Sequence, residues 1–328
     1  MAVLSAVPEW EQPWTIEVFD EIDGSVPPHP FQTEWYKSIY IEGWSDSSHL
    51  AVIAHLGSNA DYLLDLDVAT GVVTEVISGD TSVISNAIGS AYYWSPLDDT
   101  VIVQRIPQRL TIVDVAAQSF TDLAQFDEQR YQRFETWHPE GGQFLYEEWG
   151  TPQDSANTPT PNLLRWDIAS ESAELLAPYG WGADWSVSDK IAFYLLGNPE
   201  FDGEGKIIST DYIAGQPFDA HLGIIDSETG IIEENISLGR VTNPNKYLQR
   251  LILANDMGRC GLPRPLWSPD GLSLVYWDAE GKTWLWDGET STPLPQARYG
   301  EWSADGAWLA LRGETEITIL CTDENLCR

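Results

Sequence analysis

The residues Trp267-Ser268-Pro269-Asp270-Gly271 decide the fold, because the chain repeats them. Proline fixes φ, aspartate bonds the nearby backbone and glycine supplies a positive φ, so Pro-Asp-Gly predicts a tight turn. The apolar run Leu272–Trp277 that follows predicts a strand. The same order returns at Trp302-Ser303-Ala304-Asp305-Gly306. The repeating unit is therefore a strand that ends at tryptophan, a tight turn and a second strand.

Four more copies of this unit occur earlier in the chain. The six anchoring tryptophans are Trp44, Trp94, Trp137, Trp185, Trp267 and Trp302. They are spaced 50, 43, 48, 82 and 35 residues apart, which is typical of propeller blades with connections of variable length. Where the continuation is clear, as in Leu63–Gly71 and Val72–Ile77, a third and a fourth strand follow. Four antiparallel strands in each repeat predict an all-β propeller.

The Trp-Ser-Pro-Asp-Gly unit followed by a short apolar strand resembles the repeat of TolB-type β-propellers, which also occurs in the propeller domains of prolyl-oligopeptidase-like enzymes. The resemblance extends over residues 36–321. It implies a binding platform or scaffold, and a bacterial protein that works outside the cytoplasm. The copies at Trp44 and Trp185 depart from the pattern, since both lack proline. The resemblance does not extend to catalysis, because the chain has no hydrolase domain and no Gly-x-Ser-x-Gly motif.

The 82 residues between Trp185 and Trp267 would accommodate a seventh blade. However, the next third-strand turn, at Gly230, comes 45 residues after Trp185, against 27 for Gly71 after Trp44. The extra residues between Trp185 and Trp267 are typical of loops. We therefore predict two insertions, at 198–220 and 239–265, in a single six-bladed domain over residues 1–328.

The last blade is short, because only Ala307–Arg312 and Glu316–Cys321 follow Trp302 as strands. The segment Trp14–Asp20 alternates in polarity as a strand should. We predict that it completes the last blade and closes the ring, which would also cover an open sheet edge.

The chain has 328 residues with 51 acidic and 17 basic side chains, a formal charge of −34. This charge excludes a nucleic-acid binder, which needs clustered lysine and arginine. It predicts a soluble monomer, since like-charged copies repel each other, and a partner with a basic or aromatic surface. No apolar run is long enough to span a membrane. Met1–Trp14 lacks a secretory signal, so the sequence leaves the compartment open.

The long connections predict where a partner binds. In a blade, the loops from second to third strand and from one blade to the next leave at one face, and loops on a rigid scaffold tend to carry function. This class contains Glu21–Trp35, Ala124–Glu135, Thr151–Asn162, Gly197–Ala220 and Gly239–Pro265. The predicted binding face therefore belongs to blades three to five.

Arginines and aromatic residues stand out in these loops of an acidic chain. The candidate partner-binding residues are Arg130, Tyr131, Arg133, Phe201, Tyr212, Phe218, Tyr247, Arg250 and Arg259. Arginine and tyrosine are enriched at interface hot spots. The alternative is that the aromatic residues hold their own loops on the propeller and that the arginines neutralise nearby carboxylates.

Catalytic and metal-binding motifs are weak. The five histidines have no spacing suited to zinc, and no cofactor motif is present. Acid pairs such as Glu147-Glu148 are expected by chance among 51 carboxylates. Asp65-x-Asp67 and Asp202-Gly203-Glu204 match no calcium loop and read as solvated turns. A glycosidase or lyase that uses acidic residues near the central channel stays open as an alternative, since two catalytic carboxylates need only meet in space.

Three cysteines, Cys260, Cys321 and Cys327, are too few for a disulfide framework. Cys321 and Cys327 could close one short loop in an oxidising compartment, and free thiols are the alternative.

Overall fold

Each of the six tryptophans ends the first strand of an antiparallel sheet. The computed structural model describes residues 2–5, 15–18, 29–32, 38–44, 49–55, 61–77, 91–98, 100–105, 109–115, 117, 119–123, 130–150, 160–247, 263–313 and 316–322. Within these ranges there are 28 strands and one helical turn at residues 244–247. The chain forms two compact units, Met1–Ala124 and Gln125–Arg328. The fold is all-β with antiparallel sheets.

The first unit contains three sheets. The first sheet pairs β1 (Ala2–Ser5), β2 (Thr15–Val18) and β3 (His29–Gln32) in that order. The Trp44 sheet consists of β4 (Ser38–Trp44), β5 (His49–His55), β6 (Asp61–Asp67) and β7 (Val73–Ile77). The Trp94 sheet consists of β8 (Ala91–Trp94), β9 (Thr100–Arg105), β10 (Arg109–Asp114) and β11 (Ser119–Asp122).

The second unit contains four sheets and a hairpin. The Trp137 sheet consists of β12 (Arg130–Trp137), β13 (Gln143–Gly150), β14 (Pro161–Asp167) and β15 (Ser172–Pro178). The Trp185 sheet consists of β16 (Gly180–Trp185), β17 (Lys190–Leu196), β20 (Phe218–Asp226) and β21 (Ile232–Val241). Between β17 and β20 in the sequence, a separate hairpin contains β18 (Pro199–Phe201) and β19 (Ile207–Thr210). The Trp267 sheet consists of β22 (Leu266–Trp267), β23 (Leu274–Trp277), β24 (Thr283–Trp286) and β25 (Ser291–Pro293). The Trp302 sheet consists of β26 (Tyr299–Trp302), β27 (Trp308–Arg312) and β28 (Ile317–Cys321).

The repeated turn owes its shape to one serine and one aspartate. The Ser268 Oγ donates to Asp270 Oδ1 at 2.6 Å and accepts the Ser273 N–H at 2.9 Å. Gly271 takes a φ of 69°, which favours glycine over residues with a side chain. His138 stands in the serine position of the Trp137 turn, and its Nδ1 accepts the Glu140 N–H at 3.0 Å. The turn therefore needs an acceptor at this position rather than a particular residue.

Apolar residues on facing sheets fill the core of the second unit. Leu145 and Leu163 of the Trp137 sheet pack with Phe193 and Leu195 of the Trp185 sheet. A larger cluster continues from the Trp185 sheet through the Trp267 sheet to the Trp302 sheet. The anchors Trp137, Trp185 and Trp267 are all buried, as large rings between packed sheets should be.

The structure does not confirm the predicted closure of the ring by the N-terminal strand. Residues Thr15–Val18 pair on one side with Ala2–Ser5 and on the other side with His29–Gln32. Both edges of β2 are therefore occupied inside the first sheet. In the described part of the chain, the Trp302 sheet has three strands.

Three of the predicted long loops contain strands. The segment Glu21–Trp35 includes β3, and Gly197–Ala220 includes the β18–β19 hairpin and the start of β20. The segment Ala124–Glu135 includes most of β12, so Arg130, Tyr131 and Arg133 belong to a strand rather than to a loop. The physical reason is a ladder of backbone hydrogen bonds with β13, in which Arg133 lies opposite Glu147.

Candidate functional site

Long connections gather at one end of the sheets in the second unit. The connections from first to second and from third to fourth strand are short in every sheet, from 168–171 in the Trp137 sheet to 268–273 in the Trp267 sheet. The connections at the opposite end include 151–160, 197–217 and 242–265. Because strands alternate in direction, all connections of this second class leave at the same end of each sheet. We call it the loop end, and the end with short connections the turn end.

Three buried carboxylates and two arginines join the first strands of three sheets. They are Arg133 and Glu135 on β12, Glu147 on β13, Asp184 on β16, and Arg264 just before β22. We call these five residues the ionic junction. Strand β16 packs against β12 on one side and β22 on the other, which brings the five residues together.

Arg133 holds two carboxylates of the junction at once. Its Nη2 donates to Glu147 Oε1 at 2.7 Å, and its Nε donates to Glu135 Oε1 at 2.7 Å. The guanidinium carbon also lies 5.7 Å from the centre of the Trp149 ring. The Trp149 indole N–H donates to Glu147 Oε2. Arg133, named from the sequence as a partner-binding residue, is thus engaged inside the protein.

Two β-bulges lie at the junction, and backbone N–H groups in one of them donate to Glu147 and Glu135. The β16–β17 ladder is interrupted between Trp181 and Asp184, which frees the backbone N–H groups of the two residues between them. The Gly182 N–H donates to Glu147 Oε1 at 2.5 Å, and the Ala183 N–H donates to Glu135 Oε2 at 3.2 Å. A second bulge, between Phe134 and Thr136, lies at Glu135 itself.

The junction continues from the Trp185 sheet to the Trp267 sheet. Asp184 Oδ2 accepts the Trp267 N–H at 2.9 Å. Arg264 Nη1 donates to the backbone oxygen of Glu135. Charged groups therefore connect three successive sheets through their first strands.

Burial dominates the acid strengths in the junction. Glu147 is 0% exposed, and loss of hydration raises its pKa to about 8, although Arg133 and the N–H donors oppose this shift. Burial also raises the pKa of Asp184, against the opposing charge of Arg264. Both carboxylate oxygens of Glu147 accept hydrogen bonds from within the protein. This arrangement suits a structural connection better than a site that must admit a substrate.

The insertion hairpin, residues 199–210, is held firmly at the loop end. At its base, the Asn198 backbone N–H and Nδ2 donate to the two Asp211 carboxylate oxygens at 2.7 and 2.8 Å. At its far end, Asp202 Oδ1 accepts the N–H groups of Glu204 and Lys206, both at 2.9 Å. These backbone bonds, led by the one from Lys206, lower the pKa of Asp202.

Three of the predicted binding residues lie in the core beside this hairpin. Tyr212, Phe218 and Tyr247 are buried. The Tyr212 and Phe218 rings meet edge to face at 5.1 Å, and Phe218 meets Tyr247 at 5.7 Å. Tyr247 in turn packs on Trp181 at 6.3 Å. These rings fix the insertion to the Trp185 sheet.

The other predicted binding residues are dispersed. Tyr131 on β12 and Phe201 on β18 are exposed. Arg130 is the first residue of β12. Arg250 and Arg259 lie outside the described residues. The structure thus brings together the buried aromatic residues and leaves two aromatic side chains available at the surface.

Cys321 is disulfide-bonded. Cys260 and Cys327 both lie outside the described residues, so the predicted bond between Cys321 and Cys327 stays a prediction.

The described ranges contain neither a cluster of metal ligands nor a helix that could span a membrane. Among these residues, no group of three or more histidine, cysteine or acidic side chains is placed to hold a metal ion. Likewise, no helix there combines the length and the apolar character needed to cross a membrane.

No protein-family model and no curated protein matches the sequence. Among solved structures, the chain is similar to the Dos1 propeller, with a TM-score of 0.52 and 15% identity over 95% of this chain and 74% of that one. This likeness shows a β-propeller fold. The propeller domain of Cps50 (Swd1) from Myceliophteria thermophila has a TM-score of 0.48 and 10% identity, covering 95% of this chain and 90% of that chain. An oligogalacturonate lyase in complex with manganese has a TM-score of 0.40 and 12% identity, covering 88% and 90%.

The sequence pattern does not predict the ionic junction. Glu147-Glu148 is one of many acid pairs expected by chance among 51 carboxylates, yet both side chains are buried. The signal that could have revealed them is the run Gln143–Gly150, in which two acids stand inside an otherwise apolar and aromatic strand. Charged residues are almost never fully buried unless they are paired, so such a strand predicts a partner cation.

Proposed function

We propose that this protein is a non-enzymatic binding module that engages a protein or ligand through the loop end of the Trp137, Trp185 and Trp267 sheets. The observation that carries the proposal is the asymmetry between the two ends. Turn-end connections are uniformly short, whereas long connections accumulate at the loop end of these three sheets. Variable loops on a rigid scaffold are a common way to build a binding surface.

Within this proposal, the predicted residues have different roles. Tyr131 and Phe201 contact the partner, because they are exposed. Tyr212, Phe218 and Tyr247 support the surface from below. Arg130, Arg250 and Arg259 contribute positive charge at the same end, and Arg133 acts through the ionic junction.

The proposal also includes the finer description of the fold. We interpret the six tryptophan-anchored sheets as six successive blades of a TolB-type propeller, and residues 1–328 as one domain. The described strands support this interpretation, since every first strand ends at its tryptophan. We further propose a monomer with a Cys321–Cys327 bond. Its partner presents a basic or aromatic surface to a chain with a formal charge of −34.

Site-specific photocrosslinking tests the binding end. Benzoylphenylalanine is placed at positions 131 and 201 at the loop end, and at positions 187 and 272 at the turn end, all of which carry exposed apolar or aromatic side chains. We expect crosslinks to one partner from 131 or 201 and none from 187 or 272. Equal crosslinking from both ends would contradict the proposal, and crosslinks from the turn end alone would reverse it.

A carbohydrate-active enzyme is the second candidate, and one observation favours it. Glu147 has a raised pKa and shares the Arg133 guanidinium with Glu135, and glycosidases use two carboxyl groups, of which the general acid has a raised pKa. Against it, both Glu147 oxygens are occupied by internal donors. We expect no cleavage of polygalacturonate, xylan or β-glucan, measured as released reducing ends. Cleavage by the wild type that is lost in Glu147→Gln would establish the enzyme instead.

A further inference from the structure

The insertion hairpin is built as a rigid platform. Ile207 is buried and packs with the core between the Trp137 and Trp185 sheets. The hairpin is also bonded to strand β21 of the Trp185 sheet, because the Ile232 N–H donates to the Gly205 oxygen at 3.1 Å. Lys206 and Ile231 form an antiparallel bridge beside this bond. Together with the Asn198–Asp211 bonds at the base, these contacts fix the hairpin at both ends.

This platform exposes large apolar side chains. Phe201 is 41% exposed, Ile208 is 58% exposed, and Ile213, just after the hairpin, is 57% exposed. In the β18–β19 ladder, Phe201 pairs with Ile207 and Glu200 pairs with Ser209. Ile208 lies in the bulge between these two pairs and has no partner in the register. Single exposed apolar residues are normal on a protein surface. Three of them on one ordered insertion suggest a contact surface.

Acidic residues lie next to Phe201 on both sides along the hairpin sequence. Glu200, Asp202 and Glu204 stand on the hairpin against one lysine, Lys206. Asp202 is committed to the turn and stays ionised, because the backbone N–H groups of Glu204 and Lys206 lower its pKa. The hairpin therefore combines exposed apolar side chains with a net negative charge.

We infer that the insertion hairpin docks a protein segment in which lysine or arginine side chains alternate with apolar ones. This inference rests on the proposed function, because it assigns the partner of the loop end. The apolar side chains of the segment cover Phe201 and Ile208, and its cations face Glu200 and Glu204. Charge complementarity of this kind speeds association and excludes acidic partners.

A defined peptide probe tests the docking. The probe is a fluorescein-labelled peptide of four Lys-Leu repeats, measured by fluorescence anisotropy at low and moderate salt with the full chain. A Lys-Ser peptide keeps the charge and removes the apolar side chains, and a Glu-Leu peptide reverses the charge. We expect binding of the Lys-Leu peptide at least ten-fold tighter than of either counterpart. If the Lys-Ser peptide bound as tightly as the Lys-Leu peptide, the interaction would be a general attraction of cations to an acidic protein, and the inference would be wrong.

Variants locate the binding on the hairpin. Phe201→Ser with Ile208→Ser should weaken the Lys-Leu peptide about ten-fold. The matched control is Val187→Ser with Leu272→Ser, two turn-end residues that are 57% and 66% exposed. Glu204→Gln should reduce the salt dependence, with Glu289→Gln as its control. Unchanged affinity of the hairpin variant would overturn the inference.

One more variant separates this inference from the proposed function. Residues 248–259 of the loop end are replaced by a Gly-Ser segment of equal length, which leaves Cys260 in place. Loss of peptide binding in this variant, with full binding in the hairpin variant, would keep the loop-end proposal and reject the hairpin. Full binding in both variants would reject both.

Discussion

The ionic junction and the insertion hairpin use the same acidic composition in opposite ways. In the junction, the buried carboxyl groups of Glu135 and Glu147 accept hydrogen bonds from Arg133, from the Trp149 indole and from the backbone of β16. On the hairpin, Asp202 shapes a turn and the neighbouring acids face solvent. The sheets differ little between the two places. What differs is whether a cation and freed N–H groups are available to replace the water that a carboxylate loses.

Removal of the junction cation, Arg133, should have the largest effect on the free energy of unfolding. In Arg133→Met, Glu135 and Glu147 remain buried without their guanidinium, and breaking such a pair typically costs about 3–5 kcal/mol. We expect the free energy of unfolding in urea to fall by that amount at pH 9, where Glu147, with a pKa of about 8, is ionised. The control is Arg240→Met, whose ion pair with Asp219 joins an arginine with a 58% exposed side chain, and which should cost less than about 1 kcal/mol. Equal losses in the two variants would mean that the junction does not stabilise the fold.

The pH dependence of stability should give the next largest effect. The pKa of Glu147 is raised from 4.5 to about 8 in the folded state. Between these values the folded protein holds a proton that the unfolded chain releases, so stability falls as the pH rises through the window, by up to about 1.4 kcal/mol per pH unit.

Glu147→Gln isolates this contribution, because glutamine stays neutral. Its Tm plotted against pH from 5 to 8 should be flatter than that of the wild type, whatever the offset between the two curves. Glu234→Gln, on the exposed side of β21, is the control and should keep the wild-type slope. A slope in Glu147→Gln that matches the wild type would show that Glu147 is ionised throughout.

The hairpin should show the smallest effect on stability. Phe201→Ser with Ile208→Ser removes side chains that solvent already reaches, and such surface changes are usually within about 0.5 kcal/mol. We expect an unchanged Tm by differential scanning calorimetry. A clear drop would mean that these side chains pack against the protein, and the contrast with the junction would disappear.

Most of the sheet architecture could be predicted from the sequence, because its signal is local. A tryptophan, a tight turn and an apolar strand lie within about a dozen residues, a length over which turn chemistry and polarity patterns can be read. The sequence also shows a surplus of residues between strands at 198–220. The short hairpin within it could not be predicted, since Pro199–Phe201 and Ile207–Thr210 are too short to show alternation.

The ionic junction could not be predicted, because its members come from separate sheets. Arg133 and Gly182 meet at Glu147 only after two bulges have turned Glu135 and the β16 amides toward each other. A bulge leaves no reliable mark in one sequence. The partners of the N-terminal strand could not be predicted for a related reason, since its polarity pattern identifies a strand and gives no information about its neighbours.

The histidine in the Trp137 turn bears on how a chain of similar repeats assembles. Its ring stands edge-on to Trp185 at 4.6 Å, with Nε2 3.4 Å from Asp189, whereas at the next boundary the Ser188 hydroxyl donates to the Gly271 oxygen at 3.1 Å. Repeats with the same turn and the same strands can exchange neighbours during folding, which is a characteristic failure of repeat proteins. Different contacts at successive boundaries give each repeat its own correct neighbour, so sequence divergence among the turns keeps the order of the sheets.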